Sequence, residues 1–130
     1  MKKMIKRIVT LSLALLLCFS FAGCGAKYES ITAAEAKALM DSETNYVILD
    51  VRHDYEFSAE HIADAINIDN DVIADKAESI LKDKDQLILV YCKSGNRSKK
   101  ASEKLAKLGY TNVKEFGGIQ QWPYNNKVSG

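Results

Sequence analysis

The chain has 130 residues, 47% hydrophobic and 27% charged, with seven Gly and one Pro. That composition excludes a collagen-like or low-complexity polymer and a multidomain enzyme, and leaves one compact domain as the expectation. The net charge is only +1, but Lys2, Lys3, Lys6 and Arg7 crowd the first seven positions with no acid among them.

Ile8 to Ala22 follows, fifteen residues without a charge, short of the ~20 that a helix needs to cross a bilayer core. Basic start, apolar stretch and small residues at the end predict a signal peptide over residues 1–23. Phe21-Ala22-Gly23-Cys24 resembles the lipobox of bacterial lipoproteins. That resemblance implies a lipidated Cys24 as mature N-terminus and an anchor on the extracytoplasmic face of the cell membrane. Such an anchor holds by burying CH2 groups at about 0.8 kcal/mol each.

Removing residues 1–23 leaves 107 residues with 14 basic and 17 acidic side chains, net about −3, so nucleic acid is not an expected partner. Cys18 leaves with the leader and Cys24 is taken by lipid, which leaves Cys92 as the one free thiol. A lone thiol in an exported chain is either buried and inert or reactive.

Residues 24–29 read as a tether and 30–126 as the folded domain. Thr32-Ala-Ala-Glu35 has capping-box spacing and opens a helix over 33–41. Tyr46–Val51 is a continuous apolar run, the pattern of a strand covered on both faces. Tyr55–Ile62 reads as a helix, and Ala65–Ile68 as a short strand. Val72–Lys82 reads as a helix with Val72, Ile73, Ala77, Ile80 and Leu81 on one side. Gln86–Cys92 is a second buried strand, Ser98–Leu108 a helix capped by Ser98 and closed by Gly109, and Asn112–Phe116 a last short strand. Strands alternating with helices predict an α/β domain with a mostly parallel central sheet flanked by helices.

Ligands of such sheets sit beyond the carboxyl ends of the strands. Tyr91-Cys-Lys-Ser-Gly-Asn-Arg-Ser98 leaves a strand there, turns through Gly95 and enters a helix. Amides of such a turn form an anion nest, to which the helix dipole adds positive potential. Lys93, Ser94, Gly95, Asn96 and Arg97 are therefore the candidate anion-binding loop, and Cys92 at its base the candidate nucleophile, its sulfur stabilised as thiolate. The bland alternative is that Cys92 merely finishes a core strand.

The loop Cys92-Lys-Ser-Gly95-Asn-Arg97 resembles the Cys-x-x-Gly-x-Arg of single-domain members of the rhodanese (sulfurtransferase) family. Leu49-Asp50-Val51-Arg52, Glu56 to Ile68 with its His61-Ile62, and Gly117-Gly118 with Trp122 resemble three further motifs of that family, in the same order. Glu60 and Asp64 replace its glycines and Ala63 its proline. The resemblance implies a persulfide relay. Cys92 takes the outer sulfur of a small donor anion such as thiosulfate and passes it to a thiol or cyanide acceptor, with no cofactor.

By the same resemblance Asp50 and Arg52 order the Cys92 loop through hydrogen bonds. His61 reads as a structural hydrogen-bonder and Trp122 as packing. His53, His61 and one free Cys do not have the spacing of a zinc site. Two other functions stay open: a Cys-based phosphatase or arsenate reductase, whose loops are one residue longer than the four between Cys92 and Arg97, and a non-catalytic surface module that docks a protein partner or senses redox state.

Overall fold

The computed structural model describes residues 27–130; the leader, Cys18 and Cys24 with the start of the tether lie outside them. In chain order come β1 (Glu29–Ser30), α1 (Ala33–Ser42), β2 (Tyr46–Asp50), α2 (Asp54–Ala59), β3 (His61–Ile62), β4 (Ile66–Asn67), α3 (Ile73–Ile80), β5 (Leu87–Cys92), α4 (Asn96–Lys107), β6 (Val113–Gly118), a 3-10 turn (Ile119–Gln121) and β7 (Lys127–Val128). Five strands form a parallel sheet in the order β1-β6-β5-β2-β4, and β3 pairs antiparallel with β7 apart from it. This is the expected α/β architecture, with helices on both faces.

β5 shows why the sheet is buried on both sides. Ile88, Val90 and Cys92 point into the layer under α3 and α4, beside Leu49, Ile73, Ala77 and Leu105. Leu87, Leu89 and Tyr91 point the other way, beside Ala36 of α1, Ile48, Ile62, Phe116 and Trp122. The period-two alternation thus carries apolar residues on both faces, each large one contributing about 1.5–3 kcal/mol when fully buried. The strand delivers Cys92 to the carboxyl edge of the sheet inside a rigid wall.

The helix ends follow local chemistry. Thr32 Oγ1 accepts the Glu35 amide at 3.1 Å, and Glu35 Oε1 accepts the Thr32 amide at 3.2 Å, which is the expected capping box. Gly109, at φ +98°, lets the chain turn back after α4, with the Tyr110 amide donating to the Leu105 carbonyl at 3.2 Å.

Several boundaries differ from expectation. α2 stops at Ala59, because Glu60 is extended and His61-Ile62 is drawn into pairing with Val128 and Lys127. Ordered pairing therefore continues past residue 126, and at the other end Glu29 already pairs with Lys114. α3 closes at Ile80, whose side chain is half exposed rather than in the buried stripe. α4 begins at Asn96, with Gly95 and not Ser98 as its cap.

Candidate active site

Cys92 ends β5 and is 1% exposed. The chain then turns sharply, with Gly95 at φ +111°, a left-handed conformation that suits glycine. That turn aims the Gly95 amide at the sulfur, 3.0 Å away. An N–H held on a sulfur stabilises negative charge there, as does the positive end of α4 directly behind it.

Ser98, expected as a cap, is buried in the first turn of α4 and supports the loop from beneath. Its hydroxyl donates to the Gly95 carbonyl at 2.9 Å and lies 3.6 Å from Cys92 Sγ. Glu115, buried on β6, accepts from the Gly117 amide at 3.2 Å and from Ser30 Oγ at 3.3 Å, and Ser98 Oγ lies 3.5 Å from it. Nothing local in the sequence marks Glu115 as buried, since a lone acid in a strand usually faces water.

The floor under the loop is glycine. An irregularity between Val90 and Cys92 leaves Cys92 opposite Gly118. A Cβ on Gly118 would lie 1.9 Å from the Lys93 carbonyl oxygen, so the two backbones touch where no side chain fits. The Gln120 amide holds that same oxygen at 3.3 Å. The Gly117-Gly118 pair thus sets the height of the Cys92 loop.

Lys93, Ser94 and Asn96 are exposed at the rim. Arg97 is half-buried and already engaged, its guanidinium meeting Glu56 of α2 in a two-pronged ion pair. That hydrogen-bonded partner holds Glu56 down to about 2, and raises Arg97, to which the nearby Cys92 sulfur also contributes. Spacing alone points Arg97 at the sulfur; it does not show a partner on another helix.

Asp50 and Arg52 do not hydrogen-bond to the loop as expected. Arg52 donates to Asp50 through Nη2 at 2.7 Å and to the Glu60 carbonyl at 2.6 Å. Both side chains are buried, so the pair satisfies itself and fixes the end of α2. Asn67 adds to the brace, donating to the carbonyls of Asp50 and Arg52 at 3.0 and 2.9 Å. They support the site from one strand away.

Other residues take structural places. His61 Nδ1 lies 2.9 Å from the Phe57 carbonyl and its ring stacks on Phe57. Trp122 is buried against Phe116 and Tyr124. Ligand atoms of His53, Asp69 and Asp71 lie within 4.8 Å of one another. His53 Nδ1 and Asp69 Oδ2 are bonded to each other at 2.6 Å. Asp69 also lines a cavity of about 360 Å³ with Asp54, Asn67, Val72, Lys76 and the half-exposed Ile80.

A family profile described as a Rhodanese-like domain matches residues 32–124. The chain is 35% identical over 72 residues to the thiosulfate sulfurtransferase PspE of Escherichia coli, covering 55% of this chain and 69% of that one. It is 39% identical over 99 residues to a tRNA uridine(34) hydroxylase of Staphylococcus haemolyticus, covering 72% of this chain but only 30% of the larger protein. Among solved structures it superposes on a rhodanese-related protein of Thermoplasma volcanium with a TM-score of 0.68 and 35% identity, covering 79% of this chain and all of that one.

Proposed function

This chain belongs to the rhodanese-like domain family, and we propose that within it the protein moves a sulfane sulfur from thiosulfate, or a similar small anion, to a thiol or cyanide through a persulfide on Cys92. The family membership supports sulfurtransferase-type chemistry. The observation that carries the finer reading is the Gly95 amide 3.0 Å from Cys92 Sγ at the mouth of the sheet.

The thiolate attacks the outer sulfur of thiosulfate, the S–S bond of the donor breaks, and sulfite leaves with the bonding pair. Cys92 then carries a terminal sulfur anion. An acceptor nucleophile attacks that sulfur, the new S–S bond breaks, and the Cys92 thiolate returns. Covalent division makes one difficult transfer into two easier ones. The Gly95 amide and the dipole of α4 stabilise the Cys92 anion without reorganising, and exposed Lys93 attracts anions to the rim.

The test is intact mass of the purified domain before and after thiosulfate. A gain of one sulfur atom in the wild type, absent in Cys92→Ser, supports the reading; no gain in either refutes it. A carrier or sensor without turnover is the second reading, supported by the burial of Cys92 and the engagement of Arg97 by Glu56. It predicts loading by thiosulfate with no catalytic formation of thiocyanate from cyanide.

We further propose that residues 1–23 direct export and that Cys24 carries the lipid anchor. A Cys24→Ala form found in the membrane fraction to the same extent as wild type overturns this.

A further inference from the structure

The ends of three neighbouring strands converge beside Cys92. Asp50, last residue of β2, pairs with Tyr91 on one side and Asn67 on the other. Three residues beyond Asp50 stands His53, two beyond Asn67 stands Asp69, and one beyond Tyr91 stands Cys92. His53 and Asp69 meet, Nδ1 to Oδ2, at 2.6 Å.

The His53 segment is tied to the Cys92 loop through Glu56. Glu56 Oε1 accepts both the His53 backbone amide, at 3.2 Å, and Arg97 Nη1, at 2.7 Å. One carboxylate oxygen thus joins the His53 backbone to the loop that cradles Cys92. An ionised Asp69 only accepts hydrogen bonds, so Nδ1 of His53 carries the hydrogen and the neutral ring presents Nε2 as its lone pair. Nε2 has no protein partner among the described residues, and the ring is partly open to solvent.

We propose that His53, oriented by Asp69, is the general base that deprotonates a small thiol acceptor as it attacks the Cys92 persulfide. The inference rests on the persulfide reading above and concerns its second half. The acceptor S–H proton passes to His53 Nε2, and the acceptor sulfur bonds to the outer sulfur of Cys92. The S–S bond to Cys92 breaks and its electron pair returns to the Cys92 sulfur. The product leaves as a persulfide anion, and His53 gives its proton to water.

The need for a base follows from the acceptor. A free thiol titrates at about 8.5 and is mostly protonated at neutral pH. The hydrogen bond to Asp69 raises the imidazole above its ordinary value, with Glu56 acting the same way and Arg97 opposing. Those charges, with Tyr55 stacked on the ring and Asp71 near Asp69, are the groups that face it. A base so strengthened moves toward the proton affinity of the thiol it serves.

The experiment measures single-turnover unloading of the Cys92 persulfide, formed with inorganic polysulfide so that it does not depend on thiosulfate. Wild type, His53→Asn and Asp69→Asn are mixed with 2-mercaptoethanol between pH 6 and 10, and separately with sulfite between pH 8.5 and 10, where it is already the dianion and needs no deprotonation. His53→Asn keeps a donor toward Asp69 but has no base. Expected is a loss on the order of 10²-fold for the thiol at pH 7, shrinking to near nothing at pH 10, with sulfite rates unchanged. Asp69→Asn shifts the rise of the thiol profile to lower pH. Equal thiol rates at pH 7, a uniform loss at every pH and with sulfite, or failure of polysulfide to load Cys92 each overturn the proposal. Failure of thiosulfate alone to load Cys92 overturns only the donor reading.

Discussion

Arg97 and Glu56, 41 residues apart in the chain, are joined by two hydrogen bonds, Nη1 to Oε1 at 2.7 Å and Nη2 to Oε2 at 3.1 Å. The pair cancels at short range the one guanidinium of the Cys92 loop. Glu56→Gln therefore leaves an uncompensated cation beside the sulfur. The concentration of thiosulfate at half-saturation is expected to fall about threefold to tenfold at low ionic strength, an advantage that shrinks as salt screens the mouth. Steady-state kinetics at two salt concentrations check it; a rise in that concentration shows instead that Glu56 is needed to aim Arg97.

The same pair makes stability depend on acid. Glu56 titrates near 2 when folded, below its ordinary 4.5. A depressed carboxylate contributes stability above its unfolded value and loses it as pH falls through the folded one. Because the pair is partly solvated, its worth is about 1 kcal/mol or less. Thermal melts of wild type and Glu56→Gln are expected to differ above pH 5 and to converge between about pH 4.5 and pH 2.

Gly118 has no room for a methyl group, with the Lys93 carbonyl oxygen 1.9 Å from where a Cβ would sit. Gly118→Ala is expected to lose at least about 3 kcal/mol and to displace the loop. Gly117, at φ +87° with open space around it, meets no such clash, so Gly117→Ala costs only about 1 kcal/mol of backbone strain. Urea denaturation of the two variants distinguishes contact from conformation.

Asp64 stands where the resembling families carry glycine, and its backbone keeps a left-handed φ of +70°. Aspartate tolerates that region at a cost. Asp64→Gly is expected to stabilise the protein by about 0.5–1 kcal/mol with sulfur loading unchanged. A lower melting temperature would show that the Asp64 side chain contributes more than its backbone loses.

Tyr91 is buried, and its hydroxyl oxygen accepts the amide of Ile62 at 3.0 Å. Burial, with Asp50 nearby, raises its phenol far above the ordinary range, so it stays protonated. Tyr91→Phe leaves a buried N–H without a partner and is expected to cost about 1–3 kcal/mol. Exchange of the Ile62 amide is the sensitive measurement.

Much of this was legible in the chain itself, where a local rule was enough. The Thr32 and Glu35 box, the two-faced apolar run ending at Cys92, and the Gly109 stop each have their cause within a few residues. What escaped reading was long-range. The two-residue strand His61-Ile62 has no periodicity to detect, and only its pairing with Lys127-Val128 makes it a strand. Ser98 has the chemistry of a cap, but Gly95 can take the left-handed turn that starts α4 two residues earlier. Ile80 fits the helical stripe, yet α3 ends there and leaves it beside a cavity. The Glu56 partner of Arg97, and Ser30 and Ser98 beside Glu115, lie on other elements, where spacing carries no information.

The β3–β7 pairing has a practical consequence. The Asn126 carbonyl accepts the Ala63 amide at 2.7 Å, and the Gly130 amide reaches the Ser58 carbonyl at 2.8 Å. The tail is thereby clasped onto the helix whose Glu56 meets Arg97. An affinity handle fused after Gly130, or a trim before Lys127, is a perturbation of the reaction centre rather than a neutral convenience.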